Sequence, residues 1–172
     1  GAISPLFMSS SYQYDGVDVK RYPRYFNTPN QEGLGKKIAA LEKSEAGMIF
    51  SSGMAAVSHC LLAFLHKGDH VVLPQTLYGG TYNFVVEEFH KFGIEFTFAD
   101  GFTEKDFAKA IKTNTKVIYV ETRSNPLMKI TDLEIIARLA KKHSLVSMID
   151  NTFASAINQT PADFGIDIMI HS

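Results

Sequence analysis

Short apolar runs alternate with longer amphipathic segments along most of this sequence. Leu34, Ile38 and Leu41 recur at helical spacing and predict a helix over residues 30–44. Beyond it the pattern predicts strands at residues 48–50, 69–74, 94–100, 116–122, 145–150 and 166–172, separated by helices at residues 53–67, 79–92, 103–112 and 131–143. Strands that alternate with helices of this length are typical of βαβ units. We therefore expect an α/β fold with a mostly parallel sheet covered by helices on both faces.

The N-terminal residues do not follow this pattern. They are rich in turn-forming residues and carry aromatic side chains without a helical or strand period, among them Tyr12, Tyr14, Tyr22, Tyr25 and Phe26. Aromatic side chains are unfavourable to leave in water, so a partner surface is the natural place to bury them. The sequence therefore predicts an extended arm over residues 1–30 that makes intersubunit contacts, and one larger domain over residues 31–172.

The composition narrows the class of protein. The chain has 172 residues, of which 45% are hydrophobic, so it can bury a sizeable core. Its net charge of −1 gives no electrostatic footprint for nucleic acid, and its longest apolar run, residues 61–65, is too short to cross a bilayer. The single cysteine, Cys60, excludes an internal disulfide bond and favours a reducing compartment. We expect a cytoplasmic protein that binds neither nucleic acid nor membranes.

Polar residues follow the predicted strands, and ligands of open α/β sheets bind beyond the carboxyl ends of the strands. Ser52, Gly53 and Met54 stand at a predicted helix start, where free N–H groups and the positive end of the helix dipole suit a phosphate. The alternative is an ordinary serine N-cap followed by a glycine that allows tight packing. The glycine fingerprint of dinucleotide-binding proteins is absent, which argues against a nicotinamide-dependent dehydrogenase.

Two further residues point to a cofactor. Asp150 ends an apolar strand, where a carboxylate needs a positive partner, and the protonated ring nitrogen of pyridoxal phosphate is such a partner. The alternative is a helix-capping or solvated aspartate. Tyr78 follows another strand and could stack on a ring or take a proton, although a tyrosine in a turn is often only structural.

Six segments in order now carry a family resemblance: "YPRYFNTPN", "SSGMAA", "LYGGTY", "ETRSNP", "IDNTFAS" and "DIMIHS". Together they resemble the successive motifs of the Cys/Met-metabolism family of pyridoxal-phosphate enzymes. The resemblance implies an aspartate-aminotransferase-like large domain of fold type I, of which residues 31–172 are the N-terminal part. It also implies that pyridoxal 5'-phosphate is tethered as a Schiff base to a lysine just beyond Ser172, so we expect the chain to be the N-terminal portion of a longer enzyme.

The resemblance also implies roles for residues around the cofactor. It places the phosphate on the segment Ser52-Gly53-Met54 together with Ser172. It implies that Tyr78 stacks on the ring and takes part in catalysis, and that Asp150 pairs with the pyridine nitrogen. Thr152 is expected to support the ring, and Asn125 to contact the ring oxygen or the substrate carboxylate.

Tyr22 and Arg24 match the arm motif that reaches the phosphate of a neighbouring subunit. In an extended segment two residues this far apart lie on one face, which suits a phosphate. A surface arginine paired with Asp15 or Asp18 is the alternative. We expect a homodimer that shares its active sites, within a homotetramer. The sequence departs from the family pattern at Asn27-Thr28-Pro29 and at Arg123. These departures affect the expected shape of the local loops and not the resemblance to the family.

The resemblance implies transsulfuration of a sulfur amino acid. Gly80 stands two residues after Tyr78, where methionine γ-lyases of the family usually carry cysteine. This favours γ-elimination or γ-replacement on cystathionine or an O-activated homoserine, as in cystathionine γ-lyases and γ-synthases. Cystathionine β-lyase, methionine γ-lyase and O-acetylhomoserine sulfhydrylase remain alternatives within the family. Outside it, a non-catalytic fragment or binding module would keep the fold.

Overall fold

Five parallel strands form one sheet at the centre of the larger part of the chain. A computed structural model describes residues 3–124 and 127–172. The strands are β1 His70–Pro74, β2 Glu95–Ala99, β3 Thr115–Glu121, β4 Val146–Asp150 and β5 Ile168–Ile170. They lie in the order β2-β1-β3-β4-β5, and every neighbouring pair is parallel. This confirms the predicted parallel sheet.

Helices pack on both faces of the sheet, as the alternating pattern predicts. The helices of the described chain are, in order, α1 Pro29–Glu42, α2 Gly53–Phe64, α3 Gly79–Phe92, α4 Glu104–Ala110, α5 Leu133–His143 and the short α6 Ser155–Asn158, and α1 belongs to the first of two units described below. Two 3-10 turns, Pro23–Tyr25 and Pro161–Phe164, complete the described elements. Helices α2 and α3 contribute to the apolar core on one face of the sheet, and α4 and α5 contribute to the core on the other.

The alternation of side chains along β3 shows how the two cores are separated. Val117 and Tyr119 point to the core that includes α2 and α3, whereas Ile118 and Val120 point to the core that includes α4 and α5. All four are fully buried. Because successive residues of a strand face opposite sides, Glu121 lies on the same face as Tyr119, at the carboxyl end of the strand.

The chain divides into two compact units, Gly1–Phe50 and Ser51–Ser172. In the first unit, α1 begins with a capping box in which Thr28 and Gln31 satisfy each other's backbone amides, with Pro29 in the first turn. Gly35 in this helix lies against Gly47, and a Cβ on either would come within 2.5 Å of the other's carbonyl oxygen. The boundary predicted at residue 30 stays a prediction.

Several predicted elements differ from the structure, among them the last strand, which is Ile168–Ile170 and not residues 166–172. Residues 48–50 form no strand, and since Met48 is 67% exposed the three-residue apolar run lacks the burial that favours a strand. The helix predicted over residues 53–67 ends at Phe64, before the turn at Gly68. No helix within residues 3–124 and 127–172 has the length and apolar character needed to span a membrane.

Candidate active site

A cavity of about 470 Å³ lies at the carboxyl ends of β3, β4 and β5, within the unit Ser51–Ser172. Its walls come from the start of α2, the start of α3 and the residues that end or follow these three strands. The lining residues are Ser52, Gly53, Met54, Val57, Tyr78, Glu121, Arg123, Asp150, Thr152, Phe153 and Ser172. Seven of the ten residues predicted for the site therefore line one cavity.

The start of α2 forms one wall. The Ser52 hydroxyl accepts a hydrogen bond from the Ala55 amide at 3.1 Å and so caps the helix. The amides of Gly53 and Met54 have no acceptor among the described residues, as expected for the first turn of a helix. The N-cap interpretation of this segment is therefore confirmed. The phosphate interpretation stays a prediction, for which two amide donors are directed out of the helix end.

Gly53 is held against the last residue of the chain. A Cβ at position 53 would collide with the Cβ and the Oγ of Ser172. Only glycine lets the helix start and the residue after β5 come this close. The Ser172 amide in turn donates to the Thr152 hydroxyl at 3.0 Å, which fixes the position of both residues.

Asp150 ends β4 and lies partly buried at the cavity wall. One carboxylate oxygen, Oδ1, accepts a hydrogen bond from the Thr152 amide at 3.0 Å. In the described part of the chain no lysine or arginine forms an ion pair with Asp150. A carboxylate at the end of an apolar strand, without a cation from the protein, can receive a positively charged ligand atom.

Negative charge is concentrated at this end of the sheet. Glu121 and Asp150 are paired in register on the neighbouring strands β3 and β4, and both line the cavity. Their effect is felt by the Tyr119 phenol beneath them: burial raises its pKa well above the ordinary value, and the charges of Asp150 and Glu121 raise it further. The part of the cavity next to these two carboxylates therefore favours a cation, while Arg123 also lines the cavity.

Tyr78 precedes α3 and is 48% exposed at the cavity wall. Its backbone amide donates to both carboxylate oxygens of Glu121, each at 2.9 Å. Gly80 lies beside the ring, since a Cβ there would be 2.6 Å from Cε1 of Tyr78 and 3.0 Å from the Met54 sulfur. The amide contact and this close packing fix where the phenol stands.

The sequence interpretation gave no role to four lining residues. Glu121 is a polar residue near the end of the strand predicted at residues 116–122, and Arg123 is a departure from the family pattern. Val57 and Phe153 complete the wall as apolar side chains, and neither carries a motif signal that would have identified it.

The three other predicted site residues are Asn125, Tyr22 and Arg24. Asn125 lies outside the described residues. Tyr22 and Arg24 belong to the first unit, where both are exposed. The expectation that these two share one face of an extended segment is wrong, because Pro23–Tyr25 forms a 3-10 turn in which alternate residues do not face the same way. Among the described acids, including Asp15 and Asp18, none forms an ion pair with Arg24.

Comparison with known proteins agrees with this geometry. The family model for Cys/Met metabolism PLP-dependent enzymes matches residues 1–172, and the chain belongs to this family. The cystathionine beta-lyase MetC of Bacillus subtilis is 43% identical over 98% of this chain and 42% of its own length. The cystathionine gamma-lyase of the same organism is 42% identical over 100% of this chain and 46% of its own length.

A solved structure extends the comparison to the fold. The putative O-acetylhomoserine (thiol)-lyase of Campylobacter jejuni, which carries N'-pyridoxyl-lysine-5'-monophosphate, superposes with a TM-score of 0.92 at 32% identity. The match covers 100% of this chain and 45% of that one. The fold is therefore that of the family's large domain, and the chain spans less than half the length of the relatives it matches.

Proposed function

We propose that the full-length protein is a pyridoxal-phosphate-dependent transsulfuration enzyme. It acts on cystathionine or an O-activated homoserine by γ-elimination or γ-replacement. The observation that carries the proposal is the cavity in which a helix start, a strand-end carboxylate and an aromatic ring converge. Among the described residues, two amides of the helix start have no acceptor and the carboxylate has no cation. Membership of the family supplies the cofactor class.

The described residues fit a phosphorylated pyridine cofactor. The close approach of Gly53 and Ser172 leaves backbone donors and a hydroxyl at one end of the cavity, where no side chain at position 53 obstructs a phosphate. Ser52, Gly53, Met54 and Ser172 would hold the phosphate. At the other end, the negative floor at Asp150 suits a protonated ring nitrogen.

Each remaining residue has one task in this proposal. When bound, the cofactor supplies an electron sink that makes the Cα proton of an amino acid acidic enough to remove. Asp150 keeps a proton on the pyridine nitrogen by its negative charge, and Thr152 holds Asp150 through its amide. The Tyr78 ring covers the cofactor, and its hydroxyl accepts or relays a proton. Asn125 would contact the ring oxygen or the substrate carboxylate.

Gly80 supports the choice among reactions within the family. A cysteine at this position, as methionine γ-lyases usually carry, would place its Cβ 2.6 Å from the Tyr78 ring, so the ring would have to move. The arrangement here therefore fits enzymes with glycine at this position, which include the cystathionine-type enzymes. Cystathionine β-elimination is the second candidate, because a cystathionine beta-lyase is as similar to the chain as a cystathionine gamma-lyase.

Product analysis distinguishes the candidates. The purified full-length protein is incubated with cystathionine, and the released thiol is identified by mass spectrometry. Cleavage on the Cγ side releases cysteine, whereas cleavage on the Cβ side releases homocysteine, because the sulfur stays with the opposite carbon chain. Methionine, and O-acetylhomoserine with either cysteine or sulfide, serve as parallel substrates. Cysteine release supports the proposal, homocysteine release replaces it with the second candidate, and a protein inert to all substrates contradicts enzymatic function.

We also infer an oligomer in which the arm of one subunit completes the active site of another. The exposed aromatic side chains of the first unit support this, as does the guanidinium of Arg24, which forms no ion pair with any described acid. Tyr22 and Arg24 would bind the cofactor phosphate in the neighbouring subunit, within a homodimer or homotetramer. The single cysteine of the chain favours a cytoplasmic location.

A further inference from the structure

Glu121 is a buried carboxylate that the proposed chemistry does not use. Only 4% of its surface is exposed, and it lies at the end of β3 beside the cavity. Both of its oxygens accept a hydrogen bond from the Tyr78 amide, each at 2.9 Å. Burying a charged carboxylate is unfavourable unless specific contacts hold it, so this contact is a defined feature of the site.

The contact joins two elements that are distant in the chain. Tyr78 is the N-cap of α3, and its own side chain forms no capping hydrogen bond. The carboxylate from β3 instead accepts from the backbone amide of this N-cap residue, near the positive end of the helix dipole, which favours a negative group. The start of α3 is thereby fixed to the end of β3. Asp150 of β4 is the register partner of Glu121 there.

We propose that Glu121 is a positioning residue, which holds the Tyr78 backbone so that the phenol stands over the cavity that receives the cofactor. This inference rests on the proposed function and deepens it. The Glu121 side chain is long enough for its carboxylate to extend from the sheet to the Tyr78 amide. The position of the Tyr78 backbone in turn determines where the Tyr78 ring lies. A displacement of about 1 Å at a reacting group can lower a rate by about a hundredfold, so a loosened amide contact is sufficient to slow turnover.

Two variants of the full-length protein separate the effect of the Glu121 side-chain length from the effect of its charge. Glu121→Gln keeps the side-chain length and one accepting oxygen but removes the charge. Glu121→Asp keeps the charge but withdraws the carboxylate by one methylene. If Glu121 holds Tyr78, Glu121→Gln stays within about threefold of the wild-type kcat, while Glu121→Asp loses about tenfold or more.

Hydrogen exchange provides a readout that does not depend on turnover. In the apoprotein, the peptide containing the Tyr78 amide exchanges faster in Glu121→Asp than in wild type, and Glu121→Gln lies between them. Titration of both apoproteins with pyridoxal phosphate is expected to show weaker binding for Glu121→Asp. A double variant, Glu121→Asp with Tyr78→Ala, is no slower than Tyr78→Ala alone, because Glu121 acts through Tyr78.

Asp132→Ala is the matched control. Asp132 is an exposed carboxylate that caps α5 by accepting from the Glu134 amide at 3.0 Å and the Ile135 amide at 3.3 Å. Helix α5 contributes to the core on the sheet face opposite to the cavity. We expect removal of the Asp132 carboxylate to lower the midpoint of thermal unfolding and to leave kcat and cofactor affinity unchanged. This is the effect of a cap that has only a structural role.

The outcomes are distinct. Wild-type-like Glu121→Asp together with a slow Glu121→Gln would overturn the inference in favour of a role for the charge alone. A fold-loss of kcat in the double variant equal to the product of the fold-losses in the two single variants would overturn it in favour of a role independent of Tyr78. If the wild-type protein neither binds pyridoxal phosphate nor turns over substrate, the proposed function fails, while the exchange experiment still decides whether Glu121 holds Tyr78.

Discussion

Gly53, the first residue of α2, lies so close to Ser172 that any side chain at position 53 would collide with it. The contact brings a helix start and the end of the described sheet region into one wall of the cavity. In the proposed enzyme this wall holds the cofactor phosphate. We therefore propose that the space at position 53 controls cofactor binding.

Gly53→Ala tests this wall. The added methyl group displaces Ser172 or the helix start, so we expect the affinity for pyridoxal phosphate to fall by about tenfold or more, which corresponds to about 1.4 kcal/mol. Titration of the full-length apoprotein measures it. Gly33→Ala is the control, because a Cβ at position 33 of α1 meets nothing within 4 Å. Equal affinities of Gly53→Ala and wild type would show that the phosphate lies elsewhere.

Asp150→Ala tests the negative floor of the cavity. Without the carboxylate the ring nitrogen loses its proton, so we expect the cofactor to be retained while kcat falls by about a hundredfold or more. Asp150→Glu should also be slow, since the extra methylene misplaces the carboxylate. Asp100→Ala is the control, because this exposed aspartate also follows a strand but pairs with Lys109 away from the cavity. Near-wild-type kinetics of Asp150→Ala would refute the assignment.

Tyr78→Phe separates the ring from its hydroxyl. The ring still covers the cofactor, so we expect the affinity for pyridoxal phosphate to change little while kcat falls by about tenfold or more, in the range of general acid–base catalysis. Tyr82→Phe is the control on the same helix, since the Tyr82 ring stacks on Phe98 with centroids 5.2 Å apart. If both variants behave like wild type, the Tyr78 hydroxyl has no role in proton transfer.

Mixing two inactive variants tests the shared site. Arg24→Ala and Asp150→Ala are prepared as full-length proteins and mixed under conditions that exchange subunits. In a mixed dimer the Arg24→Ala chain keeps its own Asp150 and receives Arg24 from its partner, so one site is complete. We expect activity to return on mixing. No recovery after exchange has been demonstrated would mean that Arg24 serves its own chain or none.

His70 makes stability depend on pH. Its imidazole is buried between the hydroxyls of Thr115 at 2.8 Å and Thr97 at 2.9 Å. Burial, the larger cause, and the Lys112 charge together lower the pKa of His70 from 6.5 to about 4, against a smaller opposing effect of Glu95. The unfolded chain therefore binds a proton at higher pH than the folded chain does.

The stability from neutral His70 is full above about pH 6.5 and is lost as the pH falls toward 4, by at most about 3 kcal/mol. We expect the thermal midpoint of the full-length protein to fall across this interval. In His70→Gln, which does not titrate, the midpoint should depend less steeply on pH, whatever its value at neutral pH. Identical slopes in the two proteins would contradict the lowered pKa.

The sheet and its covering helices could be predicted from sequence because local patterns determine them. The helix predicted over residues 79–92 is α3, Gly79–Phe92, since its apolar stripe and the glycine at its end mark both limits. The prediction of a strand at residues 48–50 was wrong, because a three-residue apolar run carries too little information about burial. The turn at Pro23–Tyr25 was signalled by its proline, which fixes the backbone angle, but the expectation of an extended arm ignored it.

The cavity could be predicted only in part. Asp150 and Gly53 follow from the rule that sites form beyond the carboxyl ends of strands, together with the motifs that contain them. The hydrogen bonds from the Tyr78 amide to Glu121 could not, because they depend on how α3 docks against β3, which no local pattern records. The direct contact between Gly53 and Ser172 is likewise a product of tertiary packing.

The retention of pyridoxal phosphate by the full-length protein is the most direct test of the central claim. The purified protein is incubated with the cofactor, passed through gel filtration, and examined for a visible absorption band that stays with the protein. The account predicts a band equimolar with the chain in wild type and a strongly reduced band in Gly53→Ala. A wild-type protein that emerges folded and colourless would contradict it.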